Sequence, residues 1–330
     1  MNLPSVDMLS GIQPTGRLHL GNYLGAVREW VKIQENENLF VCLVDYHALT
    51  AAPLPDSLRA QTRSLLVDLL ACGLDPEESV LFCQSDLPEH IELFWILSCV
   101  ARFGEMARMT QFKDKGGGTD TESVGLGVLN YPVLQAADIL LYGPNKVPVG
   151  EDQAQHLELT RELLRRFNKR YTPLFQEVRA HIPQVGKVLS LNQPSRKMSK
   201  SDPTGCVFID EEAESLLKKV KRAVTDSGQG ALSPGVLNLL GILASFNAEE
   251  GKKAHKEAEG GQLRYGDLKV AVAGVLEDAL SGIREEKRAW LNRPDRVEEI
   301  LQEGAKAARR IAQPRLAAIR DVVGLKGYPR

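Results

Sequence analysis

The chain of 330 residues is 43% hydrophobic and 25% charged, with a formal net charge of −2. That length is long for one domain and predicts two, and this mix of apolar and charged residues excludes a disordered or fibrous chain. A net charge so near zero excludes indiscriminate binding to polyanions, so any contact with nucleic acid must come from a local basic patch.

The five cysteines, Cys42, Cys72, Cys83, Cys99 and Cys206, are scattered and show no C-x-x-C spacing. They read as small core hydrophobes of a protein in a reducing cytoplasm, with neither a disulfide framework nor a metal site. The N-terminal residues carry no basic stretch or long apolar run, so no signal peptide is expected. No apolar stretch approaches the roughly 20 residues needed to span a bilayer.

Along the first half, short apolar runs alternate with amphipathic stretches, which predicts an α/β fold with a parallel sheet covered on both faces. Strands are expected at 8–12, 39–45, 80–84 and 146–149, and helices at 22–36, 57–72, 89–103, 131–142 and 152–168. Gly73 stops one helix, and Pro88 precedes another, where proline is well tolerated. The polar, Gly-rich run 114–127 predicts a connecting loop. Beyond Asp210 the pattern is almost entirely helical, for example at 211–224, 263–284 and 297–323. A boundary falls near residue 190, with an α/β domain of residues 1–190, interrupted by a short connective insertion near 104–128, and a helical domain of residues 191–330. The last helix is a candidate to pack back on the first domain.

Three clusters carry chemistry. The first, Ser10-Gly-Ile-Gln-Pro-Thr-Gly-Arg-Leu-His-Leu-Gly-Asn22, follows a strand and opens a helix. Free N–H groups and the positive end of the dipole at such a start suit an anion. Gly11 and Gly16-Arg17 only approach a P-loop, because Arg17 and Leu18 stand where that motif needs Lys and Ser or Thr. The second, Lys197-Met-Ser-Lys-Ser201, lies between Pro194 and Asp202-Pro203 and reads as a loop. Its flexible ammoniums suit phosphates whose geometry changes during reaction, although such a run alone is usually a solvated surface. The third places Tyr131, Gln135 and Asp138 at i, i+4 and i+7 on one helix face. It is followed by Val149-Gly-Glu-Asp-Gln153 at another strand-to-helix junction. Asp138 is the one carboxylate of an apolar helix and needs a donor, with a nearby Arg as the bland candidate.

These segments, with Val44-Asp-Tyr-His47, Met109–Lys115 and Ala223–Ser227, resemble the tryptophanyl-tRNA synthetase family of class I along essentially the whole chain. The resemblance implies a Rossmann-like, doubly wound parallel sheet with a C-terminal helical domain that binds the anticodon. It implies ATP contacts from Gln13, Pro14, Thr15, Gly21, Asn22, Gly150, Glu151, Asp152 and Val188, and from the closing loop Lys197, Met198, Ser199, Lys200 and Ser201. Catalysis would fall to Lys197, Lys200, Lys115 and His19, with Mg²⁺ held mainly through ATP phosphates. Asp138 would accept the indole N–H of tryptophan, Tyr131, Gln153 and His47 would orient its head group, and Val44, Leu9, Gly11 and Gln135 would line its pocket. Leu9 stands where some members place Phe against the indole, and Gln135 replaces a Met found in others. Implied partners are L-tryptophan, ATP, tRNA(Trp) and a second copy of the chain, with no membrane. Two basic clusters are candidates for tRNA: Lys218, Lys219, Lys221 and Arg222, and Lys306, Arg309, Arg310, Arg315 and Arg320. The alternatives are a tyrosyl-type enzyme, which shares the fold and both ATP signatures, and a paralogue that activates an amino acid without charging tRNA.

Overall fold

A computed structural model describes residues 5–115, 124–148, 150, 153–182, 187–225 and 232–325. Five strands form one sheet: β1 (Met8–Ile12), β2 (Leu39–Leu43), β3 (Ser79–Cys83), β4 (Lys146–Pro148) and β5 (Arg179–His181), in the order β3-β2-β1-β4-β5. Every pairing is parallel. β2 is buried at every position, as expected of a central strand covered on both faces. The order reverses between β1 and β4, and an open parallel sheet splays a crevice at the carboxyl end of its strands at such a point.

The helical run after β1 differs from the single helix expected at 22–36. It comprises α1 (Leu20–Asn22), a π-turn (Tyr23–Val27) and α2 (Arg28–Ile33). Next come α3 (Asp45–Ala48) and α4 (Pro55–Ala71), which ends where Gly73 takes a φ of 101°. The helix expected at 89–103 stops early: α5 is Glu89–Ser98, and α6 (Phe103–Met106) restarts after a break. Parts of the expected loop at 114–127 are helical, since α7 is Thr110–Lys115 and α8 is Leu126–Tyr142; residues 116–123 between them lie outside the described residues. β5 had no clear sequence signal, being three residues long and largely exposed. The remaining helices are α9 (Ala154–Arg170), α10 (Ala213–Arg222), α11 (Pro234–Phe246), α12 (Ala248–Glu259), α13 (Tyr265–Leu291) and α14 (Pro294–Val322).

Two apolar clusters fill the two faces of the sheet. One joins Met8, Val41, Leu43 and α4 to residues from Val188 through α10, α11 and α13. The other joins Leu9, Phe40, Cys42 and Phe82 to α5, α8 and α9, and to Ala308, Ile311 and Leu316 of α14. Helix α14 lies directly along the edge strand β3. At Gly304 a Cβ atom would fall 1.9 Å from the Leu81 carbonyl oxygen, so only glycine permits this approach. The helix thereby covers an edge that would otherwise offer unpaired backbone groups.

This placement corrects one expectation. Arg309 donates to the Asp86 carbonyl, Arg320 pairs with Glu92, and the Arg315 guanidinium lies against Gly143. Three of the five basic residues of the C-terminal cluster therefore tie α14 to the turn after β3, to α5 and to the end of α8, while Lys306 and Arg310 remain exposed. On α10, Lys219 is likewise tied to Glu211 at 2.7 Å, whereas Lys218, Lys221 and Arg222 are exposed.

Candidate active site

At the reversal point a cavity of about 440 Å³ opens between the ends of β1, β2 and β4 and the face of α8. All eight residues singled out for the amino-acid pocket line it: Leu9, Gly11, Val44, His47, Tyr131, Gln135, Asp138 and Gln153. Gln13 lines it as well.

Asp138 is 6% exposed and, among the described residues, bonds no arginine. His47 Nε2 donates to its Oδ2 at 2.8 Å, while Gln84 Nε2 and His90 Nδ1 donate to its Oδ1 at 2.8 and 2.7 Å. His90 Nε2 in turn accepts the Tyr142 hydroxyl proton at 2.9 Å. Burial alone would push the Asp138 carboxyl up; the bonds from His47 and His90 outweigh it and hold the group below the ordinary carboxylate range. A carboxylate offers about four acceptor positions. Among the described residues three are filled, which leaves one on Oδ2.

Gln84, His90 and Tyr142 had no place in the sequence reading. Gln84 directly follows the buried apolar strand β3, where polar side chains of α/β proteins face the crevice, and that was the available signal. His90 is 0% exposed on an apolar helix and looks like an ordinary core histidine until its partner is known. Farther along the cavity wall, Tyr131 donates to Gln111 Oε1 at 2.5 Å, and Gln153 Oε1 lies 3.4 Å from Gln135 Nε2.

The second half of the site lies beside this cavity. His19 and Asn22 cap each other: the His19 N–H donates to Asn22 Oδ1 and the Asn22 N–H donates to His19 Nδ1, both at 3.3 Å. Because Nδ1 accepts, the proton of the neutral ring sits on Nε2. Burial first, and then the charges of Lys200 and Lys197, lower the His19 pKa to about 4. Gly21 is required here, since a Cβ would meet the His19 ring at 2.9 Å.

The Lys197–Ser201 loop is docked on this segment. Lys200 Nζ donates to Gly16 O at 3.1 Å and Thr15 Oγ1 at 3.3 Å, and burial lowers its pKa. Met198 is buried and donates its N–H to Val188 O at 2.9 Å, and Ser199 and Ser201 share a 3.0 Å hydroxyl contact. Lys197 is exposed beside the site. Val188 lies 3.8 Å from where a Gly21 side chain would begin. Thr15, His19, Gly21, Asn22, Val188 and the loop are thus brought together, and Gln13 connects them to the cavity. Pro14 sits in the same turn, and Gly150 leads into α9, where the Gln153 N–H donates to its carbonyl. Glu151, Asp152 and the side chain of Lys115 lie outside the described residues.

A doubly wound sheet with a polar cavity and a Lys loop docked on a strand-to-helix turn defines a class of enzyme. Residues 1–281 match the model of the tRNA synthetases class I (W and Y) family, and the chain belongs to that family. Within it the chain sides with the tryptophan members. It is 45% identical to tryptophan–tRNA ligase 2 of Streptomyces avermitilis, over 96% of both chains. It is 44% identical to tryptophan–tRNA ligase of Bacillus anthracis, over 96% of this chain and 98% of that one. Among solved structures, tryptophanyl-tRNA synthetase of Mycoplasma pneumoniae superposes with a TM-score of 0.88 at 34% identity, over 98% and 99% of the two chains. The Campylobacter jejuni enzyme, complexed with ADP and tryptophan, gives 0.83 at 34%, over 97% and 100%.

Proposed function

We propose that the chain activates L-tryptophan with ATP and transfers it to the 3′ end of tRNA(Trp). The observation that carries this reading is Asp138: a buried carboxylate in the cavity, held ionised, with one acceptor position open. The indole N–H is a donor only and matches that position. Tyrosine would offer a hydroxyl placed for a different pocket and leave the carboxylate unpartnered, and a buried unpaired acceptor costs about 1–3 kcal/mol, more when charged. The 44–45% identity to tryptophan–tRNA ligases supports the same substrate over the tyrosyl alternative.

Chemistry follows from the charges. The tryptophan carboxylate is already ionised near neutral pH, so it attacks the α-phosphate of ATP without a general base. Lys197 and Lys200, with Lys115 from the segment before α8, stabilise the departing pyrophosphate. The neutral His19 donates its Nε2–H to a phosphate oxygen, and Gly21 and Asn22 offer the start of the helix. Gln13, Pro14 and Thr15 flank the nucleotide, Gly150, Glu151 and Asp152 take its adenosine side, and Val188 packs near adenine. Tyr131, Gln153 and His47 hold the tryptophan head group, with Leu9, Gly11, Val44 and Gln135 around the ring. Among the described residues no three acidic, histidine or cysteine side chains cluster to hold a metal. Mg²⁺ is expected as a passenger on the nucleotide phosphates, a common habit of this ion.

The boundary near residue 190 divides a nucleotide- and tryptophan-binding α/β part from a part that carries the closing loop and then the helices that meet the anticodon. Lys218, Lys221 and Arg222 on α10 and Lys306 and Arg310 on α14 are the basic side chains left for tRNA. Trp95, Phe103 and Leu126 are 68%, 74% and 74% exposed on α5, α6 and α8, and α8 packs against both of the other helices. Exposed apolar side chains of this size suit a second copy of the chain, and a homodimer is the state we assign. All five cysteines are free, and no helix among the described residues is long and apolar enough to cross a membrane, in keeping with the cytoplasm.

The test is ATP–pyrophosphate exchange with tryptophan and with tyrosine, followed by transfer to tRNA. Tryptophan-dependent exchange with charging supports the proposal. Exchange without charging would identify a paralogue that only activates the amino acid.

A further inference from the structure

We propose that His156 is a positioning residue for the α-ammonium group of the amino-acid substrate, acting through Tyr131 and Gln153. The inference rests on the reading of the cavity as the tryptophan pocket. His156 is 2% exposed on α9 and does not itself line the cavity. Its two ring nitrogens nevertheless reach two side chains that do. Nε2 lies 3.0 Å from the Tyr131 hydroxyl on α8, and Nδ1 lies 2.9 Å from Gln153 Oε1 at the start of α9. A histidine that serves only packing has no reason to join two cavity walls in this way.

The proton inventory gives the linkage a purpose. An ammonium brings three N–H donors and needs oxygen acceptors. With its proton on Nδ1, the imidazole donates to Gln153 Oε1 and fixes that amide with its oxygen toward the cavity. Its Nε2 then accepts the single Tyr131 hydroxyl proton, which leaves the phenol oxygen's lone pairs facing the pocket. The same turn of the hydroxyl releases Gln111 Oε1, which now accepts from Tyr131 at 2.5 Å. Three oxygens, from Tyr131, Gln153 and Gln111, then meet three ammonium hydrogens. The 3.4 Å approach of Gln135 Nε2 to Gln153 is long enough to be displaced by the incoming charge.

The test compares His156→Phe, which keeps an aromatic ring and removes both bonds, with His156→Asn, which keeps a donor near Gln153. Three quantities are read in pyrophosphate exchange: KM for tryptophan, KM for ATP, and the inhibition constant of indolepropionate, which is tryptophan without its amino group. We expect His156→Phe to raise the tryptophan KM about tenfold or more. The ATP KM and the indolepropionate constant should stay near wild type, and His156→Asn should recover part of the loss. An unchanged tryptophan KM would overturn the proposal. So would an indolepropionate constant that rises in step with the tryptophan KM, since that marks general damage to the pocket. Should His156→Phe fail to fold, the same ratio measured on His156→Asn decides. A wild-type protein that recognises neither compound would refute the pocket assignment itself, which the wild-type control reads separately.

Discussion

Lys200 and Gly16, 184 residues apart in the chain, are in direct contact: the ammonium donates to the carbonyl at 3.1 Å. On the proposed reading the closing loop rests where the phosphates of ATP would bind, and its lysine would exchange a backbone oxygen for phosphate oxygens when the nucleotide enters. Burial already lowers the Lys200 pKa, so a phosphate anion gains a poorly solvated partner. Lys200→Ala should reduce the rate of pyrophosphate exchange about 10²–10³-fold, by comparison with the loss of a single oxyanion donor. Adenylate formation at the wild-type rate in that variant would show that the loop lysine has no part in the chemistry.

His19 should stay neutral across the working pH range. Its folded pKa of about 4 lies below the ordinary 6.5. Between those values the unfolded chain holds a proton that the folded chain does not, so stability rises with pH from about 4 to 6.5 and is complete above that. Acidification through this window should cost the wild type stability that His19→Gln does not lose. NMR titration of the ring should show a midpoint near 4; a midpoint near 6.5 contradicts the burial argument.

Lys287 on α13 bridges two carboxylates, Asp68 of α4 at 2.6 Å and Asp210 at 2.7 Å, and Arg17 pairs with the same Asp210. Asp68 is 1% exposed and also lies 3.4 Å from the Leu18 N–H. Burial pushes the Asp68 carboxyl up even with Lys287 beside it. Lys287→Met should therefore strand a buried charge and cost about 3–5 kcal/mol in urea unfolding. Adding Asp68→Asn should recover much of that loss. A single variant as stable as wild type would show that this network does not fasten α13 to α4 and the Asp210 segment.

Gly304→Ala tests the seat of α14 on β3. The added methyl would lie 1.9 Å from the Leu81 carbonyl oxygen, so helix or strand must shift. A loss of about 1–3 kcal/mol in thermal or urea unfolding is expected, whereas alanine in a freely exposed stretch of the same helix would be neutral or stabilising.

The site was legible in the sequence where function is written in contiguous segments. The turn from Gln13 to Asn22, the Lys197–Ser201 loop and the face carrying Tyr131, Gln135 and Asp138 could be read because each is local. What escaped was the set of side chains that topology delivers from elsewhere. His90 and Gln84 reach Asp138 from 48 and 54 residues away, and nothing local marks them as its donors. The alternating pattern gave the parallel sheet, but β5 is too short and exposed to produce a signal. Charge clusters misled for a related reason. Arg309, Arg315 and Arg320 share a helix with exposed bases, and only the packing of α14 shows that they are tied to neighbouring elements.

The central claim, that Asp138 receives the indole N–H, is tested most directly by replacing that one group in the substrate. Benzothienylalanine keeps the shape of tryptophan and puts sulfur in place of the N–H. In wild-type pyrophosphate exchange, kcat/KM for tryptophan should exceed that for the sulfur analogue by several orders of magnitude, on the order of 10⁴, as in sites built around a substrate donor. Equal kcat/KM values for the two would mean that the carboxylate serves only His47, Gln84 and His90, and that tryptophan is recognised by something else.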